Sequence, residues 1–331
     1  MLKNKTKKEL QTRKNLLAFS AGGDSTALLF LLLANNIPFD IAIVDYGIRE
    51  QSKEEVAYAK ALAKEYGLRC SVHQAEKIRS NFEANARKIR YDFFESLVQK
   101  YHYDTLLTAH HLGDRFEWML MQFCKGAGCA ELAGMREKTE RNGYILYRPL
   151  LHVDKQELLA YLHHNKIKYF EDESNLDEKY RRNTFRQQHA KPLLEKYLHG
   201  IKKSFAYIDA DVNSLIQETP LQNINSLIYF KKTATRRNDI YLIDKYFKSQ
   251  NHLITAHERE LLKENPTVVI GRKYVVTTMA EYIFIGPYIQ AKNMTKNFKE
   301  KMRLLHIEPK LRGYLDRDPE AVAFLSSLLL A

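Results

Sequence analysis

LLAFSAGGDSTALLFLLLA (residues 16–34) is an apolar stretch with small and polar residues in its middle. The pattern predicts a buried strand over 15–20, a short loop, and a helix that begins near Asp24. Loop N–H groups and a helix N-terminus both direct positive partial charge at one point, so this arrangement predicts an anion site. Ser20 and Ser25 add hydroxyl groups, and the Asp24 carboxylate is placed to hold a metal ion. The alternative is a tight turn with an N-cap Ser or Asp.

The rest of the first 165 residues alternates between predicted strands and predicted helices. Strands are predicted at 40–46, 68–73, 105–110 and 144–150, and helices at 52–66, 81–101, 112–125 and 154–164. In the helix 81–101 we expect Phe82, Ile89, Phe93 and Leu97 to face the core. Repeated strand–helix alternation predicts an α/β fold, a Rossmann-like parallel sheet with helices on both faces. Ligands bind at the carboxyl ends of the strands in such sheets, where Ser20, Asp45 and His110 fall.

Composition narrows the class of protein. A chain of 331 residues with 45% hydrophobic residues can form one large domain or two ordinary ones, with an ample core. Its three cysteines form no CxxC pair, its N-terminus lacks a signal peptide, and no apolar run could span a membrane. We therefore expect a cytoplasmic protein with no membrane partner.

The charge and the change of composition along the chain indicate a second domain. The formal net charge of +12 and the pI of about 9.3 favour a polyanionic partner such as nucleic acid. From about residue 190, Lys and Arg alternate with aromatic residues. We predict a catalytic domain over 1–195, a linker helix near 191–203, and a smaller basic domain over 196–331 that docks RNA. A basic solvated surface is the alternative.

Two pairs of charged residues stand three positions apart on predicted helices, so the members of each pair share a helix face. The pairs are Asp114 with Glu117, and Arg87 with Arg90. Paired carboxylates could bind a cationic amine and help to deprotonate it, and guanidinium groups suit phosphate. Ordinary solvated helix faces are the alternatives.

A set of motifs in a fixed order gives the chain a family resemblance. SAGGDS (20–25) resembles the SGGxDS pyrophosphate loop of the N-type ATP pyrophosphatases, also called PP-loop proteins. Within that superfamily the chain resembles the tRNA(Ile)-lysidine synthetase family over about residues 15–195. The supporting motifs are VDYGIR (44–49), EANARKIRYDFF (83–94), TAHHLGDRFEWMLMQFCKGAG (108–128), LAGM (132–135), RPLL (148–151), EDESN (171–175) and RRNTFR (181–186).

The resemblance implies a ligase that uses ATP and Mg²⁺. ATP would adenylate the C2 oxygen of the wobble cytidine in tRNA(Ile) with a CAU anticodon, and lysine would displace AMP to form lysidine. ATP and pyrophosphate would bind to Ser20, Ala21, Gly22, Gly23, Asp24, Ser25, Asp45, His110 and Arg87, with Asp24 as the metal ligand. Lysine or tRNA would bind to Asp114, Glu117, Arg90, Arg182, Asn183 and Arg186. The catalytic residues would be Asp24, Asp114 and Glu117, and the family makes a homodimer plausible.

Three positions depart from the family pattern. Ala21 replaces the first glycine of the loop, Gly113 replaces an acidic residue, and Tyr46 stands where histidine is common. If position 21 needs a positive φ, alanine is unfavourable there. Asp114 and Glu117 remain, so we expect activity, but Ala21 and Gly113 leave open a non-catalytic tRNA-binding relative. A related PP-loop tRNA-modifying enzyme such as a thiolase is the other alternative.

Overall fold

A computed structural model describes residues 1–47, 51–76, 78, 80–141, 143–171, 181–290 and 294–330. The chain divides into two compact units, Met1–Ala210 (unit 1) and Asp211–Ala331 (unit 2). No helix within the described ranges is long and apolar enough to cross a membrane. Residues 48 and 49 of VDYGIR and residues 172–175 of EDESN lie outside the described residues.

Unit 1 is built around a sheet of six strands. They are β1 (Asn15–Ala18), β2 (Phe39–Asp45), β3 (Cys70–Gln74), β4 (Thr105–Leu107), β5 (Lys138–Arg141) and β6 (Tyr144–Tyr147). Their order is β3-β2-β1-β4-β6-β5, and every neighbouring pair is parallel except β5 with β6. The predicted parallel α/β sheet is therefore confirmed. The edge strand β5 was not predicted because its sequence, KTER, has no apolar run.

Nine α-helices begin in the described part of unit 1, and a π-helical segment, Phe185–Ala190, joins two of them. The helices are α1 (Asn4–Gln11), α2 (Gly23–Leu33), α3 (Gln51–Tyr66), α4 (Phe82–Tyr101), α5 (Leu112–Phe123), α6 (Cys129–Ala133), α7 (Lys155–His164), α8 (Arg181–Thr184) and α9 (Lys191–Leu215). The predicted domain boundary at residue 195 lies inside α9, which extends well beyond the predicted linker helix.

The two faces of the sheet are covered by different helices. Successive strand residues point to opposite faces: Leu17 packs with residues of α2, α3 and α7, and its neighbour Leu16 packs with residues of α4. In α4, Leu97 is buried as predicted, and Ile89 and Phe93 are half-buried. The prediction was wrong for Phe82, which is 37% exposed. Phe82 lies in the first turn of α4 and packs edge-on against the Tyr46 ring instead.

The strand order fixes where a ligand can bind in unit 1. The chain runs from β1 outward to β2 and β3 and then returns to place β4 on the other side of β1. The loops after β1 and β4 therefore diverge at a topological switch point, which is the usual ligand crevice of open α/β sheets. The predicted strands end at residues 20 and 110, but β1 ends at Ala18 and β4 at Leu107. Ser20 and His110 therefore lie in the loops that border this crevice.

Unit 2 contains an antiparallel sheet of five strands in the order β7-β8-β11-β10-β9. The strands are β7 (Gln222–Ile224), β8 (Leu227–Lys231), β9 (Thr267–Ile270), β10 (Tyr274–Met279) and β11 (Tyr282–Pro287). Its helices are α10 (Arg236–Ser249), α11 (Ala256–Glu264), α12 (Lys296–Leu304), α13 (Pro309–Leu315) and α14 (Pro319–Leu330). One face of the sheet packs against α10 and α11, and the other against α12, α13 and α14.

Candidate active site

The loop between β1 and α2 is held by its own hydroxyl groups. Ser25 Oγ donates to Gly22 O at 3.0 Å and lies 3.1 Å from Ser20 Oγ, and Ser20 N donates to Ser25 Oγ at 3.2 Å. Ala21 is fully buried and has φ +58°, so this position does require the left-handed conformation that glycine adopts most easily. The N-cap of α2 is Gly22, so no N-cap side chain accepts from the N–H groups of the first helical turn. This is not the side-chain-capped turn of the alternative interpretation, and it suits an N-terminus that receives an anion.

Asp24 lies in the first turn of α2 and points toward the loop after β4. Its Oδ1 atom is buried and has no hydrogen-bond partner, while Oδ2 lies 3.7 Å from His111 Nε2. A buried carboxylate oxygen without a donor is costly unless a cation or a donor completes its coordination. The environment of Asp24 therefore fits a divalent metal ion, for which carboxylate oxygens are preferred ligands.

His111 connects the two loops of the crevice. It is the N-cap of α5, and its Nδ1 atom accepts a hydrogen bond from Gly113 N at 3.0 Å. Because Nδ1 accepts, the ring proton is on Nε2, which lies 3.7 Å from Asp24 Oδ2 and 3.6 Å from Asp114 Oδ2. The sequence analysis did not place His111 among the site residues, although its position at the start of a helix after a strand was a usable signal.

Gly113 makes the position of the His111 ring possible. A Cβ atom at residue 113 would lie 2.7 Å from His111 Cε1, well inside van der Waals contact. The departure from the family pattern at position 113 thus has a structural consequence, because the imidazole occupies the space of a side chain there.

His110 has a different environment from that of its neighbour. Its Nδ1 atom lies 2.9 Å from Thr108 Oγ1. Burial is the main cause that lowers the pKa of His110 from 6.5 to about 4, and the positive charges of Arg148 and Arg87 lower it further. His110 is therefore neutral at physiological pH and can act in hydrogen bonding rather than as a cation.

Asp114 and Glu117 form a charged cluster with two arginines that lie about 65–72 residues later in the chain. Arg182 Nη2 donates to Asp114 Oδ1 at 3.1 Å, and Arg186 Nε donates to Glu117 Oε2 at 2.9 Å. Arg182 Nε also contacts Glu117 Oε1, and the side chain of Glu117 is only 2% exposed. The predicted carboxylate pair and two of the predicted cationic residues therefore come together in one cluster.

The pKa of Asp114 is lowered although the carboxyl is buried. Burial raises it, but three effects lower it by more: the positive charge of the neighbouring imidazoles at the acidic pH where this carboxyl titrates, the charge of Arg182, and the hydrogen bond from His111 N. Asp114 is thus ionised throughout the physiological range. The cluster contains two carboxylates and two guanidinium groups side by side.

The arginines are presented by an irregular stretch of helix. Arg182 lies in α8 and Arg186 in the π-helical segment, and the backbone between them carries the buried Asn183. π-helical turns inside α-helices are rare and frequent at functional sites. The predicted residues Arg182, Asn183 and Arg186 therefore share one segment beside the carboxylates.

The remaining predicted residues lie around this cluster rather than in it. Asp45 ends β2, and its Oδ1 accepts from Gly47 N at 2.8 Å. The Arg87 guanidinium lies 4.8 Å from the centre of the Tyr91 ring, and its positive charge lowers the pKa of His110. Arg90 is exposed and acts electrostatically on Tyr46, whose pKa is nevertheless raised by burial.

A buried ion pair that the sequence analysis missed holds the first turns of α5, which carry Asp114, against neighbouring helices. Arg115 is fully buried and donates to both carboxylate oxygens of Asp209 in α9 and to the Ala133 carbonyl. Its guanidinium also lies 4.3 Å from the centre of the Phe205 ring. Because Arg115 adjoins Asp114, this pair ties the carboxylate-bearing turn of α5 to α6 and α9.

In unit 1, the loop after β1 and the N-terminus of α2 form an anion site at the switch point of a mainly parallel sheet, an arrangement typical of nucleotide-binding α/β proteins. Residues 1–193 match the PP-loop domain family of ATP-binding proteins. Among solved structures, a U34-tRNA thiolase from Methanococcus maripaludis shares this fold, with a TM-score of 0.52, 20% identity, and coverage of 63% of this chain and 75% of that one.

Sequence similarity to characterised proteins identifies the family within the PP-loop class. The chain is 42% identical to the tRNA(Ile)-lysidine synthase of Wolinella succinogenes, over 92% of its own length and 93% of the relative. It is 39% identical to that of Helicobacter pylori over 92% and 90%, and 40% identical to that of Campylobacter jejuni over 92% and 93%. The chain belongs to the tRNA(Ile)-lysidine synthase family. The predicted resemblance is confirmed.

Proposed function

We propose that this protein joins lysine to C2 of the wobble cytidine of tRNA(Ile) with a CAU anticodon and consumes ATP. One observation carries the proposal for the site: a single imidazole, His111, lies within 3.7 Å of Asp24 on the anion loop and within 3.6 Å of Asp114 in the charged cluster. An ATP-binding loop and an amino-acid-binding cluster therefore adjoin, as a two-step adenylation and substitution requires. The reaction makes the cytoplasm, where tRNA and ATP occur, the expected location.

The loop after β1 would hold the phosphates of ATP. Residues 20–25 offer backbone N–H groups, two serine hydroxyls and the N-terminus of α2 to the leaving pyrophosphate. The orphaned Oδ1 of Asp24 fits a Mg²⁺ ion, which would neutralise charge on the phosphates. Asp45 ends β2, and His110, neutral through burial, lies in the loop after β4. Arg87 adds positive charge near His110.

The charged cluster would hold lysine. Lysine carries two ammonium groups and one carboxylate, and the cluster offers both complements side by side. The carboxylates of Asp114 and Glu117 suit the amines, and the guanidinium groups of Arg182 and Arg186 suit the carboxylate. On this account the ionised Asp114 binds the attacking amine and orients it toward C2. The amine then attacks C2 and AMP leaves with the oxygen.

The tRNA would approach as a polyanion. The net charge of +12, the exposed Arg90 and the basic residues of unit 2 suit contacts with the phosphate backbone. We propose unit 2 as a docking module for the tRNA. The homodimer stays a prediction.

A test of this function measures AMP from radiolabelled ATP with a CAU-anticodon tRNA(Ile) transcript, with and without lysine. The expected result is AMP that accumulates only when both substrates are present. Asp24→Asn and Glu117→Gln should abolish it, and Phe123→Ala, on the exposed far end of α5, is the matched control. AMP release that needs no lysine would contradict the proposal.

The same preparation discriminates the two alternatives. A thiolase would depend on its cysteines, so Cys124→Ser/Cys129→Ser should lose activity under that alternative and retain it under ours. A non-catalytic tRNA-binding relative would bind the transcript but show no heat of Mg-ATP binding by calorimetry.

A further inference from the structure

Trp118, the single tryptophan of the chain, is unusually accessible for its size. Its exposed fraction is 46%, although it directly follows Glu117, which is almost completely buried. Tryptophan and tyrosine are enriched at interaction surfaces, because their rings are apolar and also carry a polar group. Trp118 is also four residues after Asp114, so the two side chains share one face of α5, one turn apart. Helical side chains lean toward the helix N-terminus, and Asp114 lies in that direction from Trp118.

The indole is held in place on one edge by the loop after α6. A Cβ atom at Gly134 would lie 2.7 Å from Trp118 Cδ1 and 3.4 Å from Trp118 Nε1. Gly134 also has φ +63°, which favours glycine. The absence of a side chain at this position leaves the space that the edge of the Trp118 ring occupies. A ring that is fixed along one edge and exposed elsewhere loses little side-chain entropy when a ligand stacks on it.

We propose that Trp118 is a stacking platform for an unpaired anticodon base next to the wobble cytidine. This inference rests on the proposed function, in which the wobble base must enter the crevice beside Asp114. Single-stranded RNA is commonly bound with its bases splayed out and stacked on aromatic side chains. The Trp118 and Asp114 positions are four residues, about 6 Å, apart along the helix axis, which suits a base adjoining the reacting one. The positive charge of the chain provides the accompanying attraction for the RNA backbone.

Because the chain has one tryptophan, its emission reports this position alone. Titration of the intact protein with a CAU-anticodon tRNA(Ile) transcript should quench the emission, saturating at the concentration at which a fluorescein end-labelled transcript saturates in anisotropy. Anisotropy measures binding without reference to Trp118. Binding by anisotropy with unchanged indole emission would overturn the proposal and leave the proposed function intact.

Variants separate stacking from an indirect effect on emission. Trp118→Ala should weaken tRNA binding by roughly 5- to 100-fold, the range expected for loss of one base–aromatic stack. Trp118→Phe should retain most of the affinity. Phe123→Ala, which removes a more exposed aromatic residue from a different face of the same helix, should leave it unchanged. The Trp118→Ala loss should be equal at low and moderate salt, because stacking releases no counterions.

Two further measurements keep the outcomes distinct. Mg-ATP affinity should be the same in wild type and Trp118→Ala, which shows that the variant is folded. If Trp118→Ala binds tRNA as wild type does, or if it converts a dimer to a monomer in sedimentation, the platform is overturned and a protein contact takes its place. If the wild type forms no AMP with both substrates, the proposed function itself has failed.

Discussion

The buried pair Arg115–Asp209 allows a quantitative prediction about unit 1. The Arg115 side chain is 1% exposed and that of Asp209 is 27% exposed. Asp209→Ala leaves a guanidinium buried without its counter-ion, and breaking a buried pair in this way costs about 3–5 kcal/mol. Arg115→Met leaves a carboxylate that water can reach, but it removes two hydrogen bonds to the Ala133 carbonyl and the contact with the Phe205 ring. We expect it to cost about 2–4 kcal/mol.

The double variant Arg115→Met/Asp209→Leu tests the physical reason. Replacement of both charges by apolar groups removes the stranded charge, so we expect the double variant to be more stable than Asp209→Ala alone. The two positions are therefore non-additive, as is usual for direct contacts. Urea unfolding followed by tryptophan emission is the assay, because the only tryptophan lies in unit 1 and next to this pair in α5.

The expected thermal effect follows from the size of the unit. At about 2–4 °C per kcal/mol for 150–250 residues, Asp209→Ala should lower the Tm of unit 1 by roughly 6–20 °C. Lys263→Ala, at an exposed ion pair with Glu260 in unit 2, is the control and should change the transition by less than about 1 kcal/mol. An Asp209→Ala loss below about 1 kcal/mol, or a double variant whose loss equals the sum of the single losses, would refute the reasoning.

Three further predictions concern the crevice. Ala21→Gly removes a left-handed backbone cost of about 1–2 kcal/mol, but it also removes a buried methyl group worth about 0.8 kcal/mol and raises the conformational entropy of the unfolded chain. The free energy of unfolding in urea should therefore change by less than about 1 kcal/mol. A larger change in either direction would contradict this balance. Gly113→Ala should displace the His111 ring, which nitrogen-detected NMR would record as loss of the Nε2–H tautomer, and should lower Mg-ATP affinity through Asp24; an unchanged tautomer would contradict it. Because the pKa of His110 falls from 6.5 to about 4 on folding, the stability from neutral His110 is complete above pH 6.5 and is lost as the pH falls toward 4, a change on the order of 3 kcal/mol. Wild type should therefore lose more stability than His110→Asn between those pH values in urea titrations. Parallel losses in the two proteins would contradict this prediction.

The sequence indicated those parts of the site that depend on local patterns. The strand–loop–helix at 15–34 and the turn that carries Asp114 and Glu117 have the predicted spacing, and hydrophobic periodicity located the parallel strands. These features are set within a few residues by backbone preference and by the alternation of apolar positions.

The rest depends on contacts between distant segments, which periodicity does not encode. Nothing in the sequence around Glu117 shows that Arg182 and Arg186 will bind it, or that Arg115 faces inward to meet Asp209. Nor does the sequence show that His111, the neighbour of the predicted His110, is the residue that lies beside Asp24. That outcome depends on the space at Gly113, which only the packed structure reveals.

The central claim is that one crevice couples ATP to the attachment of lysine to a CAU-anticodon tRNA(Ile). The direct test incubates the protein with ATP, Mg²⁺, [¹⁴C]lysine and the transcript, and measures radioactivity that stays with the RNA after mild alkaline hydrolysis of aminoacyl esters. We predict alkali-stable lysine on tRNA(Ile), dependent on ATP and absent with Asp24→Asn, and none on a tRNA(Met) transcript with the same anticodon. Alkali-labile lysine only, or equal labelling in the absence of ATP, would contradict the account.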